Sequence, residues 1–129
     1  NYVMAQDSGR ILDREIAEGQ LYGGIAHGIG NALFEWMRYD DDAQPISATF
    51  AEYLLVTAPE VPSVKLILHE TPTPRNPLGV KGIGETGLMP ATSAIISAIE
   101  DALSPFNVHL TRVPLTPPDI LAAVAASEG

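Results

Sequence analysis

A single carboxylate, Glu85, lies inside a glycine-rich segment at residues 76–87, which reads NPLGVKGIGETG. The four glycines of this segment allow the backbone to approach a bulky ligand closely. A helix predicted at residues 88–103 follows at once, and free N–H groups at a helix N-terminus attract anions. A lone glutamate there is poorly suited to phosphate binding but well suited to proton transfer beside a bound cofactor. The alternative is a loop with a solvated glutamate, because a GxGE pattern alone is a weak motif.

A second glycine-rich region is the helix predicted at residues 18–37. Apolar residues recur there at spacings of three and four from Leu21 to Trp36, which is typical of an amphipathic helix. Glycine also occurs at positions 23, 24, 28 and 30 of this helix, although each glycine costs about 1 kcal/mol relative to alanine. We therefore expect another backbone or a ligand to approach the helix closely, with tight packing on a sheet as the alternative.

Other kinds of site find little support in the sequence. The three histidines (His27, His69 and His109) are too widely separated to match a zinc-ligand spacing. No GxSxG motif of a serine hydrolase is present, and Lys81 precedes the GxG pattern instead of following it as in a phosphate-binding loop. A dinucleotide fingerprint does not fit GGIAHGIG, and the three aspartates at residues 40–42 lack the spacing of a calcium loop.

Composition narrows the class of protein further. The chain has 129 residues, about one domain, and is 46% apolar and 18% charged, which is typical of a globular fold. A net charge of −9 disfavours nucleic acid and anionic membranes as partners, and no apolar run approaches the ~18 residues of a membrane span. The absence of cysteine excludes a cysteine-ligated iron–sulfur cluster within the chain and is consistent with a cytoplasmic protein. Because it starts at Asn1 without methionine, the chain looks like a fragment, a processed chain or a cloned domain.

The order of predicted elements is that of an α+β fold. Strands are predicted at residues 2–6, 45–56, 64–70 and 108–113, and residues 11–16 are predicted as a short strand or an extended segment. Helices are predicted at residues 18–37, 88–103 and 117–126. We expect a mixed sheet with two long helices and a short C-terminal helix. If the two glycine-rich regions face one another, a large ligand lies between them.

Two motifs in a fixed order resemble a known family. The stretch EGQLYGGIAHGIGNALFE is followed, after about forty residues, by NPLGVKGIGETG and an apolar helix. This arrangement closely resembles the C-terminal end of the molybdenum-binding large subunit of the xanthine dehydrogenase family. Bacterial carbon monoxide dehydrogenases and aldehyde or N-heterocycle hydroxylases are its nearest look-alikes. The resemblance covers nearly the whole chain and implies that residues 1–129 are the C-terminal segment of the second molybdenum-cofactor-binding domain, a fragment of a larger subunit.

The resemblance also implies a site. Glu85 matches the family's general base beside the molybdenum, and Gln20 matches a glutamine that hydrogen-bonds the molybdopterin. The stretch before the glutamate matches the part of the family that contacts the pterin cofactor; its residues here are Lys81, Gly82, Ile83 and Gly84. No direct metal ligand is assigned. One departure is visible, because His27 stands where the family often has glutamine.

The function implied by the resemblance is that of a molybdenum hydroxylase, which hydroxylates an aldehyde, an N-heterocycle or a related small substrate with water as the oxygen source. The implied cofactor is molybdopterin cytosine dinucleotide with molybdenum, and 2Fe-2S and FAD groups are expected on partner chains or domains of a hetero-oligomer. This chain alone is expected to bind the cofactor weakly or not at all and to show no turnover. The alternative is a catalytically inert assembly or ligand-binding module that retains the fold.

Overall fold

Two parallel strands and three α-helices form the regular structure of residues 1–127, the part of the chain that the computed structural model describes. The strands are β1 (Tyr2–Asp7) and β2 (Val64–His69), and the helices are α1 (Arg14–Leu33), α2 (Ala91–Ala102) and α3 (Pro117–Ser127). Single 3-10 turns lie at Ala58–Glu60 and Ser104–Phe106. The α+β class predicted from the sequence is confirmed, although the sheet in residues 1–127 is parallel and two-stranded instead of mixed.

The strands pair in register from Tyr2 opposite Val64 to Asp7 opposite His69, so both carboxyl ends lie at the same edge of the sheet. A parallel pair needs a long crossover connection, which here contains α1. The core joins one face of the sheet to this helix. Its buried members are Met4, Leu21, Ile25 and Ile29, with Leu66, Leu68, Ile83 and Ile95 packed against them. Burial of such side chains stabilises the fold by about 1.5–3 kcal/mol each, and it fixes α1 against the sheet.

Helix α1 begins earlier than the sequence predicts, because Asp13 caps it. The Asp13 backbone is extended, and its carboxylate accepts a hydrogen bond from the Ile16 N–H at 3.0 Å. The predicted start at residue 18 is therefore too late, and the prediction that residues 11–16 are extended is wrong from Arg14 onward. The helix ends at Leu33, since Phe34 leaves the helical conformation, and the predicted end at residue 37 is also wrong.

The strands predicted at residues 45–56 and 108–113 are wrong. Residues 45–56 form turns, in which Pro45 makes one isolated bridge with Tyr39 and the Ser47 hydroxyl accepts the Arg38 N–H at 2.7 Å. Residues 108–113 are irregular, and the Leu110 N–H donates to the Glu100 carboxylate at 2.8 Å. Residues of high β-propensity form a strand only beside a partner strand, and residues 1–127 offer these two segments none.

The other elements agree with the prediction to within a few residues. Both observed strands lie within one residue of their predicted ends, and α3 begins at Pro117 as predicted. Helix α2 begins at Ala91 instead of residue 88, because the chain makes a tight turn over residues 84–90 before entering the helix. Within residues 1–127, every helix is too short or too polar to cross a lipid bilayer.

Candidate functional site

An open cleft of about 270 Å³ separates the first half of α1 from the turn that leads into α2. It is small and polar, and two of its lining residues carry side chains that can exchange protons, Glu85 and His27. The full lining consists of Gly19, Gln20, Gly23, Gly24, His27, Gly84, Glu85 and Leu88. The cleft therefore joins both glycine-rich regions that the sequence singles out, and it brings Gln20 and Glu85 to one site.

The glycine-rich loop is anchored at its start to the end of β1. The Lys81 N–H donates to the Ser8 carbonyl at 2.8 Å, and Gly9 forms an antiparallel bridge with Val80. The Asn76 side chain holds Val80 from both sides, donating to its carbonyl at 2.9 Å and accepting its N–H at 3.2 Å. The loop therefore leaves the sheet edge from a fixed point.

The far end of the loop is held by α1. The Gln20 side-chain amide donates to the Gly84 carbonyl at 2.8 Å. The Glu85 carbonyl then accepts the N–H groups of Leu88 and Met89 at 3.0 and 3.1 Å, which closes the turn before α2. Gln20, assigned to the cofactor by resemblance, thus also fixes the loop that carries Glu85, and its Oε1 remains available as an acceptor.

Between these anchors, residues 82–85 form a backbone arch with open donors. Among residues 1–127, no acceptor takes the N–H groups of Gly82, Ile83, Gly84 or Glu85. A Cβ built on Gly82 or Gly84 would have no neighbour within 4 Å. Successive free N–H groups at a turn before a helix form a cradle for an anion or for polar acceptor atoms. This cradle, together with the free Oε1 of Gln20, fits the phosphate and ring atoms of a pterin cofactor.

Four of the five glycines of α1 divide into two groups with different surroundings, and the fifth, Gly30, lies against the Glu35 side chain. Gly24 and Gly28 lie against the turn and the start of α2, because a Cβ on Gly24 would come within 2.8 Å of the Gly87 Cα and one on Gly28 would collide with Ala91. Gly19 and Gly23 have nothing within 4 Å of such a Cβ, and both line the cleft. The sequence prediction of close approach is confirmed for the first pair by the chain's own backbone, and the second pair leaves room for a ligand.

Glu85 presents a free carboxylate at this cleft. No hydrogen bond or ion pair formed by residues 1–127 engages its side chain, and the residue is exposed. A carboxylate without a partner is available to accept a proton from a bound reactant. Exclusion of water from it must come from whatever covers the open side of the cleft.

Lys81 is engaged within the chain. Its Nζ donates to the Asp7 carboxylate at 2.8 Å and to the Thr71 hydroxyl at 2.7 Å, and its backbone N–H is the one that Ser8 accepts. Ile83 packs its side chain on the core while its backbone lies in the arch. The predicted cofactor contacts therefore remain open to Gly82, Ile83 and Gly84 through N–H groups, whereas the backbone N–H of Lys81 is taken by Ser8.

Asp7 and Thr71 were not singled out from the sequence. Asp7 ends β1, and Thr71 lies two residues beyond the end of β2. Because the carboxyl ends of parallel strands meet at one edge of a sheet, where ligands of such sheets bind, the parallel pairing was the signal that could have identified them. The strands were predicted without their relative direction, so this signal was missed. Among residues 1–127, no group of three His, Asp or Glu side chains is arranged to hold a metal ion.

Protonation of Asp7 is expected to destabilise the protein in acid. The Lys81 ammonium, followed by hydrogen bonds from Thr71 and Gly9, holds the pKa of Asp7 far below its ordinary value of 3.8. Since the pKa is lower in the folded state, the stabilisation is complete above about pH 5 and is lost progressively as the pH falls through and below about 4. Thermal unfolding of Asp7→Asn should depend less on pH below about 4 than that of the unsubstituted protein; parallel curves would contradict this.

Comparison with known proteins agrees with this geometry. Residues 1–62 match the family described as molybdopterin cofactor-binding domain. The chain is 41% identical over 117 residues to the 6-hydroxypseudooxynicotine dehydrogenase complex subunit gamma of Paenarthrobacter nicotinovorans, covering 90% of this chain and 15% of that protein. It is 39% identical over 118 residues to the nicotine 6-hydroxylase large subunit of the same organism, covering 92% and 14%.

The fold also matches a solved structure. The crystal structure of quinoline 2-oxidoreductase from Pseudomonas putida 86 superposes with a TM-score of 0.92 and 37% identity, covering 95% of this chain and 16% of that one. The chain thus spans only about 15% of the length of its first relative. The sequence matches and the fold together show that the chain belongs to the family of molybdenum hydroxylase large subunits, which includes those of xanthine and carbon monoxide dehydrogenases, and that it corresponds to part of their molybdopterin-binding region.

Proposed function

We propose that this chain forms one wall of the molybdenum site of a hydroxylase, with Glu85 as the general base. The observation that carries the proposal is the cleft in which the open N–H groups of residues 82–85, the Gln20 amide and the free Glu85 carboxylate meet. The N–H groups of Gly82, Ile83 and Gly84 would hold the polar atoms of the pterin, and Gln20 would bind it through Oε1. Gly19 and Gly23 would let it lie against α1.

The residues of this chain then have defined tasks in the reaction. The bound molybdenum cofactor supplies the oxidation of a substrate C–H carbon, with water as the source of the oxygen. Glu85 accepts the proton that hydroxylation releases, at one of its Oε atoms, and must lose it again before the next turnover. The backbone arch keeps this carboxylate at a fixed place relative to the cofactor, which limits the entropy lost in reaching the reactive geometry.

The substrate that we propose is an aromatic N-heterocycle. By their names, the relatives reported above act on 6-hydroxypseudooxynicotine, nicotine and quinoline. Each of these three compounds contains a pyridine ring. The cytosine dinucleotide form of the cofactor and a partner that carries FAD also belong to the proposal. The 2Fe-2S cluster is assigned to a partner chain or domain because this chain has no cysteine to hold a cluster. The position of residues 1–129 in the second cofactor-binding domain, and a cytoplasmic location, stay predictions.

Filling the cleft without disturbing the fold tests cofactor binding. In the holoenzyme that contains this chain, Gly23→Leu is expected to lower the molybdenum content by about tenfold, equivalent to ~1.4 kcal/mol of binding free energy. The new side chain meets no protein atom at its Cβ but projects from a residue that lines the cleft. Tyr22→Leu is the matched control, since Tyr22 is exposed and does not line the cleft. Molybdenum is measured by elemental analysis, and equal contents in both variants would refute the binding role.

A further inference from the structure

A polar cluster ties the ends of both strands to the start of the arch. We call it the tether; it consists of Asp7, Thr71 and Lys81. Lys81 Nζ donates to Asp7 Oδ2 at 2.8 Å and to Thr71 Oγ1 at 2.7 Å. Asp7 also accepts the N–H groups of Gly9 at 2.9 Å and Thr71 at 3.2 Å, and the Thr71 hydroxyl. One carboxylate therefore joins the end of β1, the segment after β2 and the loop that carries Glu85.

The tether acts at the residue immediately before the arch. From Lys81, the arch leads to Glu85 with no hydrogen bond at the N–H groups of residues 82–85; the Ile83 carbonyl accepts from Thr86, and the Gly84 carbonyl accepts from Gln20. Four residues span at most about 14 Å even when extended, so a shift of Lys81 is transmitted to the carboxylate. No member of the tether lines the cleft.

We propose that Asp7 and Lys81 are positioning residues, which set the place at which the arch presents Glu85 to the reacting atoms. This inference rests on the proposed function, since only a reactive Glu85 gives its placement a catalytic consequence. It also gives Lys81 a role other than the cofactor contact predicted by resemblance: its side chain and its N–H are both used within the chain.

A merely structural role predicts a different result. The Lys81 and Asp7 side chains remain 37% and 32% exposed, and an exposed ion pair contributes little to stability. Its loss at neutral pH should therefore change the unfolding temperature little. Displacement of a catalytic group by about 1 Å, in contrast, can lower turnover by about 100-fold. A large loss of kcat with little loss of stability distinguishes positioning from support of the fold.

The test uses Lys81→Met in the holoenzyme, with turnover expressed per molybdenum atom. We expect kcat to fall by about 10- to 100-fold while KM changes by less than about twofold, and we expect Lys81→Arg to recover most of the loss because it restores the ion pair. Lys65→Met is the matched control: Lys65 is an exposed lysine of β2 that forms no ion pair in residues 1–127. It should leave kcat unchanged.

Two results would overturn the inference. One is an unchanged kcat per molybdenum in Lys81→Met, including the case in which total activity falls only because molybdenum content falls. The other is an equal loss of kcat in Lys65→Met. If Lys81→Met does not assemble, Asp7→Asn removes one charge with little change of shape and is read in the same way. Glu85→Gln separates the two proposals: if it stays active the proposed function fails, whereas if it is inactive and Lys81→Met is normal, only the positioning inference fails.

Discussion

Replacing Glu85 with glutamine in the holoenzyme is expected to lower kcat per molybdenum by about 10²- to 10⁴-fold, the range that a positioned general base contributes. The amide has nearly the shape of the carboxylate but cannot accept the proton. The fold should be unaffected, because the Glu85 side chain makes no hydrogen bond or ion pair in residues 1–127, and the bonds that close the turn use its carbonyl. Steady-state turnover of an N-heterocycle, normalised to molybdenum content, measures the effect.

Glu18→Gln provides the matched control for this substitution. Glu18 is a carboxylate of α1, pairs with Arg14 at 2.7 Å and does not line the cleft. Its replacement should leave kcat unchanged, because an exposed pair four residues apart on a helix contributes only about 0.3–0.5 kcal/mol. Near-normal turnover of Glu85→Gln would favour the alternative in which this part of the subunit is catalytically inert and serves assembly.

The sequence predicted the approach of the two glycine-rich regions better than it predicted the loops. The glycine pattern of α1 and of the segment before α2 anticipates a close meeting of two backbones, which Gly24 and Gly87 make. Such a pattern is informative because glycine inside a helix is unfavourable and needs a reason. The strands predicted at residues 45–56 and 108–113 had no comparable signal, since β-propensity depends on a partner strand that a single segment does not reveal.

The contacts that hold Glu85 in place could not be predicted from local sequence patterns. The Asp7–Lys81 pair joins residues far apart in the chain, and it forms only because β1 and β2 are parallel and end at one edge. Residue patterns predict both strands but not their relative direction. Gln20 was assigned to the cofactor by resemblance, and its contact with the Gly84 carbonyl could not be inferred from spacing. Local patterns thus predict Glu85 as the candidate general base, whereas the contacts that support it depend on topology.

A methyl group at Gly24 is expected to destabilise the protein by about 1–3 kcal/mol, the usual effect of overpacking. In Gly24→Ala the new Cβ would lie 2.8 Å from both the Gly87 Cα and the Leu88 nitrogen. These are backbone atoms and cannot move aside by changing rotamer, so α1 and the turn that carries Glu85 must separate. The loss should appear as a lower unfolding temperature of the large subunit in calorimetry, together with a lower kcat, because the same displacement moves Glu85, the proposed general base.

Gly23→Ala is the decisive comparison, because it places the same methyl group on the adjacent residue of the same helix. Nothing lies within 4 Å of its Cβ, so removal of a helical glycine should stabilise the chain by up to about 1 kcal/mol. The two variants should therefore shift the unfolding temperature in opposite directions when they are compared without cofactor, which would otherwise add its own binding free energy. Equal shifts would mean that the contact between α1 and the turn is not what requires glycine at position 24.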